Sequence, residues 1–171
     1  MIPLAALAVV VALMLVELAL SRRNERTMRR LGAVAPPDPV YGTMKFAYPG
    51  VFVAMALEGL WRDQVVPPMA FSGVVVFVAA KLLKGWAIAS LGHRWTYGVL
   101  VLPKAPLVTT GPYRLMRHPN YVGVVGELVA MALVTNARIA GPAGLFLFGC
   151  LLLLRIRAEE RALDRGRQLV P

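Results

Sequence analysis

From Ile2 to Leu20 the only ionisable side chain is Glu17. A helix that is apolar on every side belongs in a core or a bilayer, and about 20 such residues cross the hydrocarbon. Four more apolar runs follow: Tyr41–Trp61, which holds Pro49 and Glu58; Met69–Gly92, interrupted by Lys81 and Lys84; Tyr121–Asn136; and Ile139–Leu154. The last two are short and are parted only by Asn136-Ala137-Arg138, the pattern of a helical hairpin. The five runs predict an all-α integral membrane protein with five transmembrane helices and a separate C-terminal helix. It forms one domain over residues 1–171: a three-helix part, 1–92, and a part of loop, hairpin and C-terminal helix, 93–171. Hydrophobic residues make up 58% of the 171, and charged ones 16%. Soluble domains average about 45–50% apolar.

The first run has no basic stretch before it, and Arg22, Arg23, Arg26, Arg29 and Arg30 follow it directly. That is the pattern of a retained anchor rather than a cleaved signal. Lys and Arg are unevenly shared among the connections. The segment after the first run has five, residues 93–119 have four including Lys104, and the tail from Arg155 to Arg167 has five. The two opposite connections have Arg62 and Arg138 alone. The positive-inside rule then puts the N-terminus outside and the C-terminus in the cytoplasm, as in a multi-pass protein of a bacterial inner membrane. A net charge of +10 would suggest nucleic acid in a soluble chain, but no aromatic residues interleave with the arginines as a base-stacking surface needs. Cys150 is the only cysteine, and His93 and His118 have no thiol or carboxylate at ligand spacing, so no metal site is expected.

Two cytoplasmic segments are chemically dense. In GPYRLMRHPNY, Gly111–Tyr121, Gly111-Pro112 interrupts any helix. Pro119 turns His118 out of helical geometry and suits the first turn of the next helix. His118 is thus expected as the N-cap of a helix, where unpaired N–H groups and a partial positive charge collect. Tyr113 and Tyr121 offer ring faces at the membrane interface, and an interfacial anchor is the plainer use of the same residues. The tail RIRAEERALDRGRQ, Arg155–Gln168, puts Ile156, Glu159, Glu160 and Leu163 on one helical face and Arg157, Arg161 and Arg165 on the other. Two carboxylates on the apolar face either pair with Arg157 or Arg117 or meet a cationic ligand.

Gly111-Pro112-Tyr113-Arg114, Arg117-His118-Pro119-Asn120-Tyr121 and Glu159-Glu160 resemble the isoprenylcysteine carboxyl methyltransferase family of integral-membrane enzymes. Leu91-Gly92, Trp95 and Leu107-Val108-Thr109-Thr110 look like that family too. The resemblance covers the whole membrane topology, with its specific motifs in residues 91–165. It implies an S-adenosylmethionine pocket formed by Leu107, Val108, Gly111, Tyr113, Arg117, His118, Pro119, Tyr121, Glu159 and Glu160, with Arg117 and Glu160 acting on the reacting groups. Carboxylates suit the cofactor's cationic groups and ribose hydroxyls. Arg117 and helix N-terminal amides suit its carboxylate. The implied acceptor is a lipid that slides in from the bilayer.

Glu17, Ser21–Arg26, Gly32-Ala33, Tyr41 and Glu58 are similar to a bacterial subgroup that methylates hydroxyls of alkylpyrones and alkylresorcinols, although Tyr48 stands where that subgroup has a histidine. Carboxyl methylation of an isoprenylcysteine is the alternative within the family. Glu17, Asn24, Trp95 and Glu127 are the candidates for acceptor recognition, since intramembrane carboxylates are costly and mark function by default. For Glu17, Glu58 and Glu127 the plainer reading is a buried partner among Lys45, Lys81 and Lys84, while Lys81 and Lys84 could snorkel. Two other classes share parts of the pattern: an NADPH-dependent sterol-type reductase, and a lipid-binding protein without catalysis. Cofactor binding separates them.

Overall fold

The computed structural model describes residues 1–62, 69–103 and 105–168, with side chains as far as Ala162. Lys104 and the side chains of Leu163, Arg165 and Arg167 lie outside the described residues. The described residues form five helices: α1 (Ile2–Arg30), α2 (Tyr41–Trp61), α3 (Ala70–Leu91), α4 (Pro119–Thr135) and α5 (Ala140–Gln168), with short 3-10 turns at Gly92–Arg94 and Gly111–Arg114. An isolated antiparallel bridge, Val34 to Val101, ties the α1–α2 loop to the α3–α4 loop.

Among the described residues, α1, α3 and α5 are long and apolar enough to cross a membrane. The 17-residue α4 is apolar but shorter, and α2, at 21 residues, carries Lys45, Glu58 and three glycines. The tail does not form a separate helix. It continues α5 without a break, so α5 and α1 each run 29 residues, about 44 Å at 1.5 Å per residue. Both therefore outreach a hydrocarbon layer of about 30 Å, and the excess falls at the arginine-rich end.

Helix α4 is the axis of the bundle. It packs on all four other helices, and α3 packs against it along most of its length. Small residues permit that approach: a Cβ on Gly73 would come within 2.7 Å of Val134, and one on Gly126 within 2.8 Å of Ala80. The α4–α5 corner turns on Asn136, in the left-handed region at φ 54°, a conformation asparagine tolerates better than most residues. At the same end, Glu58 accepts the N–H of Ala140 at 2.6 Å and of Ile139 at 3.1 Å, and pairs with Arg62 at 2.8 Å. Its partners are thus the free amides of the α5 N-terminus and Arg62, not the expected lysines.

On α1 the buried residues are Pro3, Val10, Glu17, Ser21, Asn24 and Met28. These fall on the seven-residue repeat of a helix–helix seam. Its first half is apolar and joins the core of Phe52, Met55, Leu128 and Met131. Glu17, Ser21 and Asn24 in its second half are polar and face the site.

Candidate functional site

At the arginine-rich end, His118 caps α4 with φ −128° and ψ 59°, and Pro119 occupies the first turn. The His118 carbonyl takes the N–H of Tyr121 at 3.1 Å, and the two rings stack with centroids 5.5 Å apart. The last turns of α5 meet this corner. Tyr121 donates its hydroxyl to Glu159 at 2.5 Å, and His118 Nε2 lies 3.3 Å from Glu160. Tyr113, half-buried, is close enough to Glu159 that burial first and that carboxylate second push its phenol well above the usual range. It therefore stays a hydrogen-bond donor at any physiological pH. Tyr113, His118, Tyr121, Glu159 and Glu160 thus cluster where the α4 start meets α5.

Other expected residues sit differently. Pro119 is buried as part of the helix start. Arg117 has 89% of its side chain exposed and approaches Glu160 only at 3.9 Å. Leu107 is exposed and Val108 half-buried in an extended lead-in positioned by Arg94, which donates to the Pro106 carbonyl at 2.6 Å. Gly111 has φ +60°, and a Cβ there would collide with the Ser90 side chain. Both facts demand glycine. We expect Gly111→Ala to cost about 1–2 kcal/mol from the backbone alone and to lower the thermal midpoint in detergent by about 4 °C or more. An unchanged midpoint would show that the 111–118 turn is not anchored on α3.

The second group of expected residues surrounds the loop after α3. Asn24 donates to the carbonyls of Trp95 at 2.8 Å and Gly92 at 3.2 Å. Ser21 accepts the Tyr97 N–H at 2.8 Å. Trp95 is buried, edge-on to Tyr97, and its indole N–H donates to Asn120 at 3.2 Å. So α1 holds the floor of the site through its polar seam.

Deeper in the bundle, Glu17 and Glu127 form a closed ring with Lys81 and Lys84. Glu17 meets Lys84 at 2.6 Å and Lys81 at 2.7 Å; Glu127 meets Lys81 at 3.0 Å and Lys84 at 3.1 Å. Tyr48 donates to Glu127 at 2.9 Å and Tyr97 to Glu17 at 3.2 Å. The plainer expectation of buried lysine partners holds for these two glutamates, and neither lysine simply snorkels.

Sequence reasoning missed Arg155, which it counts only among the five basic residues of the tail. It is buried, pairs with Asp38, lies over the Tyr41 ring at 5.2 Å and donates to the Tyr97 carbonyl at 2.6 Å. The signal was its spacing: Phe148, Leu152, Arg155, Glu159 and Ala162 recur every three or four residues along one face. Arg157 and Arg161 do lie on the exposed face. One turn before Glu159, Arg155 ties this end of α5 to the Tyr97 loop and to the α1–α2 loop.

No group of three or more His, Cys, Asp or Glu able to hold a metal occurs among the described residues. The chain is similar to the uncharacterized protein YpbQ of Bacillus subtilis (strain 168), at 29% identity over 158 residues, 92% of this chain and 94% of that one. An uncharacterized protein of Haemophilus influenzae is 23% identical over 158 residues, 92% of each chain. The nickel-cobalt-cadmium resistance protein NccN of Alcaligenes xylosoxydans xylosoxydans is 28% identical over 151 residues, 78% of this chain and 64% of that one. No solved structure matches. The family model for isoprenylcysteine carboxyl methyltransferases matches residues 73–165, the span that holds most of α3, all of α4, the 111–118 turn and the glutamate pair. The chain belongs to the isoprenylcysteine carboxyl methyltransferase family, whose members are S-adenosylmethionine-dependent methyltransferases of membranes.

Proposed function

We propose that this protein transfers a methyl group from S-adenosylmethionine to a lipophilic acceptor held in the membrane, the acceptor atom being a hydroxyl of a phenolic or pyrone lipid. The observation that carries the reading is the meeting of Glu159 and Glu160 with His118, Tyr113 and Tyr121 at the start of α4. The donor set fits the cofactor. Two carboxylates suit an amino group, a sulfonium and ribose hydroxyls, and the α4 N-terminus with Arg117 suits a carboxylate. Exposed as it is, Arg117 is free to swing onto a ligand, where it orients rather than reacts. The bound cofactor supplies an electrophilic methyl group. The chain supplies alignment in a water-poor cleft, the main demand of an in-line displacement.

Five spans with the N-terminus outside and the glutamate pair on the cytoplasmic side suit this division. The cofactor arrives from water and the acceptor from the bilayer, past Glu17, Asn24, Trp95 and Glu127. The second reading, carboxyl methylation of an isoprenylcysteine, is favoured by the family to which residues 73–165 belong.

Calorimetric titration of the purified protein with S-adenosylhomocysteine should give a Kd in the micromolar range, and NADPH should give no heat. Radiolabelled methyl transfer to a 5-alkylresorcinol but not to N-acetyl-S-farnesylcysteine would separate the two acceptors. Binding of NADPH without S-adenosylhomocysteine would overturn the methyltransferase reading.

A further inference from the structure

The Glu17–Lys81–Glu127–Lys84 ring is unevenly sealed. Lys84 and Glu127 have 2% and 0% of their side chains exposed, Lys81 and Glu17 18% and 11%. The more exposed half, Glu17 and Lys81, joins α1 to α3. Helices α1 and α3 each pack on α4 but scarcely on one another, and side chains of the ring bridge the space between them. The face between two apolar helices in a bilayer meets lipid tails, and here it carries a partly exposed lysine and carboxylate.

Burying four ions costs several kcal/mol each before pairing, and apolar residues would close the same contact without that cost. The pairing is also redundant, and of its two lysines Lys81 is the exposed one, at 18% against 2%. If Lys81 leaves the ring, Glu17 keeps Lys84 at 2.6 Å and the Tyr97 hydroxyl at 3.2 Å, and Glu127 keeps Lys84 at 3.1 Å and the Tyr48 hydroxyl at 2.9 Å. Neither carboxylate is stranded. Lys81 is thus the member that can exchange its partner, and Phe77, whose ring lies 5.6 Å from its Nζ, offers an aromatic wall beside it.

We propose that the α1–α3 cleft admits an amphiphile and that Lys81 pairs there with an acidic oxygen of its head, a phenolic or a carboxylic one. Lys81 is then a specificity-determining residue and Lys84–Glu127 the fixed base behind it. This rests on the acceptor reading above, because such a head is the part presented to the methyl donor. The Tyr97 loop continues from the ring to the site: its hydroxyl meets Glu17 and its carbonyl meets Arg155, one turn from Glu159.

The test is direct binding to the full chain in lipid nanodiscs, with no turnover required. The probes are 5-pentadecylresorcinol, N-acetyl-S-farnesylcysteine and the dimethyl ether of the resorcinol, which has no acidic oxygen. S-adenosylhomocysteine is titrated in parallel. At least one acidic head should bind wild type about tenfold or more tighter than the ether, and which one does so identifies the acceptor class. Lys81→Met should erase that preference, Lys81→Arg should keep it, and neither should change affinity for S-adenosylhomocysteine. The double variant Glu17→Gln/Lys81→Met, in which the ring stays neutral, should also lose the preference if Lys81→Met alone does not fold. Equal binding of ether and acidic probes by wild type, or undiminished acidic-head binding by Lys81→Met or the double variant, overturns the proposal. Failure of wild type to bind S-adenosylhomocysteine would instead sink the methyltransferase reading and leave the head-group result standing.

Discussion

Glu127→Leu should lower the stability of this protein by about 3–5 kcal/mol, the usual cost of removing one partner from a buried ion pair. In a chain of this size that is a fall of about 10 °C in thermal midpoint. The loss follows from what remains. Two lysines, one of them 2% exposed, are left with Glu17 as their only carboxylate, and the Tyr48 hydroxyl loses its acceptor. The double variant Glu127→Leu/Lys84→Leu should recover most of the loss, because it removes one charge of each sign and leaves Lys81 with Glu17 at 2.7 Å. Thermal scans of the wild type, both singles and the double form a cycle that isolates the coupling. Additive losses would mean that water, rather than the ring, neutralises these charges.

The second large effect concerns Glu159 and Glu160, the carboxylates proposed to meet the cofactor. Glu160→Ala and Glu159→Gln should each weaken S-adenosylhomocysteine binding by about 10- to 150-fold, the equivalent of one charge-assisted hydrogen bond of about 1.5–3 kcal/mol. The thermal midpoint should move little for Glu160→Ala, since that side chain is 42% exposed and touches His118 and Arg117 at the surface. Glu159→Gln should cost more stability, because it weakens the 2.5 Å hydrogen bond from Tyr121. The two variants therefore separate binding from folding. Unchanged calorimetric titrations in Glu160→Ala, with the fold intact, would mean that the pair serves to hold α5 on α4 and not to bind a ligand.

These two clusters differ in how they could be read from the chain. The Gly111–Tyr121 segment and the glutamate pair are local patterns. Proline fixes the backbone before and at its own position, so Pro119 alone makes His118 a helix cap, as found at φ −128°. The α4–α5 hairpin then returns the tail to the same end. The repeat of α1 was equally legible: Glu17, Ser21 and Asn24 on the buried stripe of an otherwise apolar helix had to meet polar partners. Even Arg155 is readable from its spacing with Phe148, Leu152 and Glu159, although its charge alone places it with the topology signals of the tail.

What the sequence by itself determined was the inventory: apolar helices, a charged end, a proline-set corner and carboxylates on the apolar face of the last helix. Each follows from residues within one or two turns of each other. Only the tertiary structure decided which charges meet. Glu17, Lys81 and Glu127 are 64 and 46 residues apart in sequence, yet share one ring, because α1 and α3 both pack on α4. Helical period says which face a residue occupies, not which helix it faces, and a buried charge is resolved by whatever lies opposite.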